Sequence, residues 1–290
     1  MTAGEIEAPL VRRRRSSLLA VVLQPRIFIP LLFLGGVTIV AILAPLITGD
    51  PTSLDPMARM RPPSMESWFG TDQFGRSVLT RTIYGSRVSL IVGFAVATVV
   101  AVLGTALGLL AGFLPRVDAV LMRIMDAIMS IPTILLAIAF IALFGAGIVN
   151  VIIAMILPEV PRMARVVRGV TLSIRERPYI EAAITNGARP VRLLVRHVLP
   201  VAVAPLLVQD TYVFASAVIT EAILSFLGAG APPEIPSWGN IISEGRTLFL
   251  IAPWVIIAPG ICLSALVLAI NTLGDALRDL LDPRLKQQAR

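Results

Sequence analysis

Long runs of uncharged, apolar residues alternate with shorter polar segments along this sequence. Residues 88–114 and 247–274 contain no charged side chain, and each run exceeds the ~20 residues that a helix needs to cross a bilayer. Two further runs are long enough to cross, although the second of them includes two carboxylates. The pattern predicts four spans, numbered one, two, five and six, at residues 27–47, 88–113, 198–226 and 249–273.

The middle of the sequence does not divide as simply. Residues 127–158 are uncharged, too many for one span and fewer than the roughly 40 that two complete spans would take. Two spans fit if the third begins near Ala119 and the fourth ends near Pro158, with a tight turn at residues 145–147.

Charge decides between five spans and six. Basic residues favour the cytoplasmic side of a membrane, so the four arginines at residues 12–15 and the Arg-rich residues 162–196 should lie on the same side. This requires an even number of spans between them. With six spans, 19 of the 25 Lys and Arg residues lie inside and 6 outside. We therefore predict an all-α integral membrane protein with six transmembrane helices and both termini cytoplasmic.

This prediction divides the chain into two tails and one membrane domain. The apolar run after residues 12–15 is longer than the h-region of a secretory signal, and no small-x-small cleavage site follows before Asp50, so we expect a retained signal anchor. The predicted parts are a cytoplasmic tail at residues 1–26, a membrane domain at 27–274 with an external segment at 48–87 and a cytoplasmic loop at 159–199, and a cytoplasmic tail at 275–290.

Composition agrees with a membrane protein. Hydrophobic residues make up 56% of the chain, charged residues 15%, and the mean hydropathy is +0.85, which is too apolar for a soluble domain. The net charge of +7 does not indicate nucleic acid, because the arginines lie between apolar runs without an aromatic-plus-basic motif. A single cysteine, Cys262, excludes a disulfide or a CxxC metal site within the chain.

The cytoplasmic segment at residues 175–190 predicts two short helices joined by a bend. Pro178 and Pro190 suit first helical turns, and Gly187 suits the left-handed residue that ends a helix. One alternative is a basic hairpin that rests on anionic lipid, and composition alone favours it.

Small and acidic residues distinguish the first of these two helices. Ala182 and Ala183 would leave a slim face that another protein can approach closely. Glu181 would add negative charge near the amino end of the helix.

The spacing within this segment resembles a known motif. Permease subunits of ATP-binding-cassette (ABC) importers have Glu-Ala-Ala, three residues, Gly, nine residues and Ile-x-Leu-Pro. The matching residues here are Glu181, Ala182, Ala183, Gly187, His197, Leu199 and Pro200. His197 replaces the Ile of the general pattern, in a form familiar from the peptide-transporting branch.

Other stretches resemble the C-type dipeptide and oligopeptide permeases of the same family. The likeness extends from about Trp68 to Leu285, over most of the chain. The stretches are residues 68–79, 84–90, 221–228, 236–240 and 274–284.

The resemblance implies a type I ABC importer permease in a bacterial plasma membrane, moving dipeptides or oligopeptides. Nickel or another small solute is the alternative substrate. The implied partners are a second, similar permease, an extracytoplasmic peptide-binding protein, and two ATPases that bind ATP and Mg and act on the Glu181 motif. No G-x-x-x-x-G-K-[ST] loop occurs in this chain, so we expect neither catalysis nor a cofactor or metal on it.

Several membrane residues are further candidates. Asp210 and Glu221, about three turns apart on span five, could line the translocation path, or they could tie neighbouring spans together. Arg123 and Asp126 are expected to form a local ion pair. Gly104, Gly108 and Gly112 form two G-x-x-x-G steps that permit close helix packing, against another span or the partner permease.

The last external segment could bind or gate. Trp238 begins a short amphipathic run that ends at Arg246, which suits a helix at the membrane interface or, alternatively, a gate or a dock for the binding protein. Two rival functions have less support. A secondary transporter would have more intramembrane charge and an internal repeat. A non-transporting interaction protein would not explain the Glu-Ala-Ala spacing.

Overall fold

The computed structural model describes residues 23–281 of the chain, so the predictions for residues 12–15 and for the tails at residues 1–22 and 282–290 lie outside the described residues. Within that range every regular element is helical, apart from one isolated bridge between Thr71 and Ser77. The α-helices are α1 Pro25–Ile47, α2 Val78–Phe113, α3 Pro115–Met129, α4 Thr133–Phe144, α5 Ile148–Arg175, α6 Pro178–Thr185, α7 Pro190–Leu193, α8 Leu199–Phe226, α9 Trp238–Gly245 and α10 Trp254–Leu281.

The four long apolar runs form helices, which confirms the all-α prediction. By length and composition, α1, α2, α10 and the continuous helix Pro190–Phe226 that contains α8 can cross a membrane. Three boundaries differ clearly from the prediction: the start of α2, and both the start and the end of α10, which continues to Leu281 rather than residue 273. Helix α2 begins at Val78 because the Ser77 hydroxyl caps it, and α10 begins at Trp254 because Arg246–Leu248 form a separate 3₁₀ turn.

The middle of the chain differs more. Helices α3 and α4 meet at an angle of 86° and count as a fifth span only if they are one broken helix. The predicted turn is present, because Gly145 and Gly147 have φ values of 90° and 157°. Helix α5 continues past the predicted end at Pro158 as far as Arg175. It does so because Glu159, where the apolar run stops, is paired inside the protein.

The most extensive helix packing joins α2 to α5. A Cβ atom at Gly104 would lie 2.5 Å from Met163 Cβ, and one at Gly112 would lie 2.5 Å from Thr171 Cβ. Because the contacts advance in the same direction along both helices, α2 and α5 run parallel. The G-x-x-x-G steps therefore pack a helix of the same chain, which confirms the intramolecular alternative.

Candidate functional site

The predicted two-helix segment is present and ends its first helix as expected. Gly187 has a φ of 77°, its N–H donates to the Ile184 carbonyl at 2.8 Å, and the Ala188 N–H donates to the Ala183 carbonyl at 3.0 Å. This pair of bonds is a Schellman motif, which closes α6 and turns the chain toward α7. Pro178 and Pro190 occupy the first turns of the two helices, as the sequence predicts.

One face of this segment packs against the membrane helices. Leu109 and Phe113 at the end of α2 pack against a small hydrophobic cluster, and Ala183 and Ala188 pack there as well. This cluster therefore brings α6 into contact with the ends of α2 and α5. The buried centre of the cluster consists of Ile174, Ile180, Leu193 and Val198.

The opposite face of α6 is open. Glu181 and Ala182 are exposed, and Ala183 is half-buried. The space around Gly187 is also empty, because a Cβ atom there would meet no atom within 4 Å. We call the exposed residues Glu181, Ala182 and Gly187 the α6 surface.

The remaining motif residues join the α6 surface to α8. His197 lies in a π-helical turn, Leu194–Val198, and its ring centroid is 6.2 Å from that of Tyr179 on α6. Leu199 is half-buried, and Pro200 is exposed in the first turn of α8. The π turn leaves no loop between α7 and α8, so the two form one continuous helical segment.

Arginines on α5 connect it to α3. Arg168 forms a two-bond ion pair with Asp118, and Arg165 pairs with Asp126. The predicted local pair between Arg123 and Asp126 is wrong. A residue on a neighbouring helix competes successfully for the same carboxylate, which one sequence cannot reveal.

The two carboxylates of α8 lie in different surroundings. Asp210 borders a cavity of about 210 Å³ between α1, α2, α8 and α10, and its Oδ1 atom is buried without a hydrogen-bond partner in the described residues. Glu221 is only 1% exposed, and it accepts a hydrogen bond from Ser225 at 2.6 Å. It borders none of the cavities described here.

A third membrane carboxylate was not among the residues predicted from the sequence. Glu159 on α5 is 3% exposed and accepts a 2.5 Å bond from Arg162, which also donates to Thr133 at 3.1 Å. Its Oε1 atom is 3.5 Å from the hydroxyl of Ser216 on α8. The spacing of Glu159 and Arg162, three residues apart beside an apolar run, was the available signal.

A cluster of four charges at the amino end of α2 was also not predicted from the sequence. Arg81 donates to Asp72 at 2.8 Å and to Glu244 of α9 at 2.7 Å. Arg76 donates to the same two carboxylates, at 2.6 and 2.5 Å. Their mixed charges are visible in the sequence, but Glu244 is too distant along the chain to be assigned as the partner.

Trp238, which the sequence predicts at the membrane interface, packs inside the protein. Its side chain is 1% exposed, and its Nε1 donates to the Thr82 carbonyl at 2.8 Å because α9 folds back against α2. Arg246 is exposed, with its guanidinium 5.7 Å from the centre of the Phe226 ring. Within residues 23–281, no three His, Cys, Asp or Glu side chains are grouped to hold a metal ion.

These features define a class: a multi-helix membrane protein with a short helix pair fastened to its spans and open on its far side. The chain belongs to the family of binding-protein-dependent transport system inner membrane components, whose model matches residues 104–287. Members are permease subunits of ABC importers in the inner membrane, and separate ATPase subunits hydrolyse ATP. The family also implies a partner permease and a substrate-binding protein.

Several relatives match nearly the whole chain. A probable peptide ABC transporter permease, y4tQ of Sinorhizobium fredii, is 52% identical over 89% of this chain and 91% of its own length. The dipeptide permease DppC of Alkalihalophilus pseudofirmus is 42% identical, over 88% and 85%. The glutathione permease GsiD of Pectobacterium atrosepticum is 44% identical, over 77% and 75%.

A solved structure shares the fold. A chain of the MetNI methionine ABC transporter, in an inward-facing conformation, superposes with a TM-score of 0.53 and 22% identity. The match covers 71% of this chain and 96% of that chain. At this identity the likeness concerns architecture alone.

Proposed function

We propose that this chain is the permease subunit of an ATP-driven importer that moves dipeptides or oligopeptides across the bacterial plasma membrane. The named substrates of its relatives include peptides, dipeptides and glutathione, itself a short peptide. The nickel alternative has no support among these relatives. Substrate identity therefore rests on similarity, whereas the transport class rests on the family.

The α6 surface is the docking site for a separate ATPase that binds ATP and Mg. The observation that supports this most directly is the contrast across one helix. Ile180 is 2% exposed and locked to the bundle, while Glu181 and Ala182 next to it face outward. A helix held on one side by the spans can transmit a push received on the other, since packed interfaces move between discrete arrangements.

The proposed topology has six spans and cytoplasmic termini. Helix α5 supplies one crossing although Glu159, Arg162 and Arg165 make it too charged for a simple hydropathy test. Its parallel packing along α2 at Gly104 and Gly112 supports this, because α2 is itself long enough to span. The bent pair of α3 and α4 supplies the third crossing, and the α6 surface then faces the cytoplasm.

On the outer side, we assign the binding protein to the surface near α9. Arg246 is exposed there and can contact a partner, whereas Trp238 acts from inside by holding α9 against α2. A second, similar permease completes the membrane assembly. These partners follow from the family in general terms, and the residue assignments are proposals.

Asp210 is the candidate for contact with substrate. Its unpartnered Oδ1 atom borders a cavity, and a carboxylate in that position can accept a hydrogen bond from a peptide amine. Glu221 is buried, and its partner Ser225 on the same helix accepts a bond from the Ala231 N–H at 3.0 Å, so the pair supports the other role that the sequence left open, a structural tie, here between α8 and the segment that follows it.

The docking proposal is tested at Gly187. Gly187→Val places a β-branched residue at a φ of 77°, which distorts the turn without a clash, because the surroundings are open. We expect the assembled importer to insert normally but to lose the link between ATP hydrolysis and uptake. Both rates are measured in the same proteoliposomes.

Gly187→Asn is the matched control, because Asn tolerates left-handed backbone much better than Val. It should retain most of the coupled uptake. Normal uptake by the Val variant, with hydrolysis still stimulated by substrate, would remove the basis for the coupling assignment.

The substrate proposal is tested separately by uptake of labelled dipeptides to hexapeptides in a strain that lacks this chain. We expect uptake to fail and to return when the chain is supplied. If all peptides enter normally and another solute does not, the substrate class is wrong although the transport class stands.

A further inference from the structure

Two apolar cavities lie in line along one face of α1, the first mainly between α1 and α2 and the second between α1 and α10, and residues of α10 border both. The outer one, of about 400 Å³, is bordered by Gly36, Val40 and Trp238, and the inner one, of about 410 Å³, by Arg26 and Ala269. Phe33 borders both, so the two cavities are adjacent along α1. We call these two cavities the α1–α10 groove.

The walls of the groove offer almost no polar group to a ligand. Trp238 Nε1 already donates to a backbone carbonyl at 2.8 Å. Peptide amides in such a channel would lose their hydrogen bonds, at a cost of several kcal/mol each. A hydrocarbon chain loses nothing. The hydroxyls of three lining residues also donate to backbone carbonyls of their own helices: Thr82, Ser86 and Thr272.

A cation lies at one end of the groove. Arg26, in the first turn of α1, has a side chain that is 83% exposed. Asp279 is 4.0 Å away, at the limit of an ion pair, and no closer carboxylate is found in the described part of the chain. Most of the guanidinium donors are therefore available to an anion at the level where α1 enters the membrane.

The groove is long enough to hold an acyl chain that spans one lipid leaflet. From Arg26 to Val40, α1 rises about 21 Å, which exceeds the ~15 Å of hydrocarbon in half a bilayer. Cavities of about 400 and 410 Å³ spread over that length are narrow compared with a transmembrane helix, which is about 10 Å wide. A single acyl chain is narrow enough.

We propose that the α1–α10 groove binds an anionic phospholipid, with one acyl chain along the groove and the phosphate on Arg26. The lipid belongs to the leaflet at the amino end of α1. Bound there, it fills the space between α1 and the rest of the bundle and links the first helix to α10. A cation beside a groove of hydrocarbon character is the arrangement that recognises acidic headgroups.

The test uses the full-length chain, purified and delipidated. Native mass spectrometry then measures the retention of added dioleoyl phosphatidylglycerol against dioleoyl phosphatidylcholine. We expect one phosphatidylglycerol to be retained preferentially. Arg26→Gln should reduce that preference about fivefold, the factor expected for one basic residue near a membrane surface, and Arg26→Lys should keep it.

Two neighbouring glycines provide a matched pair for the acyl chain. A Cβ atom at Gly35 or at Gly36 meets no atom within 4 Å, so Leu fits at both positions, but only Gly36 borders the groove. Gly36→Leu should abolish preferential retention, and Gly35→Leu should leave it intact. Size-exclusion chromatography confirms that both variants are folded.

Three outcomes would overturn the proposal. The first is equal retention of the two lipids by the unaltered chain, which would indicate ordinary annular lipid. The second is equal phosphatidylglycerol binding by Gly36→Leu and Gly35→Leu. The third is efficient cross-linking of Gly36→Cys, in a Cys262→Ser background, to a second permease in the assembled importer, which would show that protein occupies the groove.

Discussion

Asp72 and Arg81 show, at the scale of single residues, how charge can be buried at the amino end of α2. Asp72 accepts bonds from Arg76, from Arg81 and from the backbone N–H of Phe74, and Arg81 also donates to both oxygens of Glu244. Burial of a charge is tolerated only when its partners replace water. The cluster therefore joins the external segment, α2 and α9 into one unit.

Asp72→Asn should destabilise this unit. The substitution keeps the side-chain shape but removes the charge that faces two arginines, one of which is almost completely buried. We expect a loss of about 3–5 kcal/mol, the range for breaking a buried pair. Thermal unfolding in detergent measures it, together with faster proteolysis near α9.

Glu66→Gln is the control for Asp72→Asn, since Glu66 is an exposed acid in the same external segment. Its effect should lie within about 0.5 kcal/mol. Similar stabilities for the two variants would show that the four-charge cluster contributes little.

The contact of α2 with α5 shows, at the scale of elements, how small residues determine helix spacing. Without a hydrophobic driving force between helices in lipid, association depends on close packing. Gly104, Gly108 and Gly112 provide it on α2, and the side chains that they face include Met163 and Thr171. Since α5 also bears Arg165 and Arg168, this contact determines where these two arginines meet the carboxylates of α3.

Gly104→Leu should separate the two helices. Any Cβ atom at this position would collide with Met163, and both partners belong to packed helices. We expect a loss of at least about 1–3 kcal/mol, the usual cost of overpacking. Thermal unfolding and monodispersity in detergent are the measurements. Gly260→Leu on α10, where a Cβ atom meets nothing within 4 Å, should be nearly neutral.

The proposed position of the whole molecule in the membrane rests on its distribution of charge. With six spans, residue 66 lies outside, residue 146 lies outside at the turn between α4 and α5, and residue 181 lies in the cytoplasm. A chain with another number of spans before the α6 surface would place residue 146 or residue 181 on the other side.

Single cysteines in a Cys262→Ser background test this topology. On intact cells, a membrane-impermeant maleimide should label Glu66→Cys and Ala146→Cys. Glu181→Cys should react only after permeabilisation. Labelling of Glu181→Cys from outside would reverse the proposed orientation, and protection of Ala146→Cys would argue against the bent pair as a complete span.

Much of the fold could be predicted because the bilayer leaves few solutions to the chain. Apolar runs of spanning length must form helices, so α1, α2, α8 and α10 follow from sequence. The end of α6 follows too, since Gly187 lies where a left-handed residue closes a helix. The end of α5 could not be predicted, because counting apolar residues treats Glu159 as a boundary when a partner allows its burial.

The sequence by itself determined the local geometry of the α6 surface and, through its motif, the family. Short-range spacing is sufficient for both, since a turn of helix involves only neighbouring residues. Only the tertiary structure decided which groups meet. Asp126 pairs with Arg165 rather than Arg123, Trp238 is buried, and the α1–α10 groove is present. These contacts join residues far apart in the chain, and their partners are selected by packing, which the order of residues does not display.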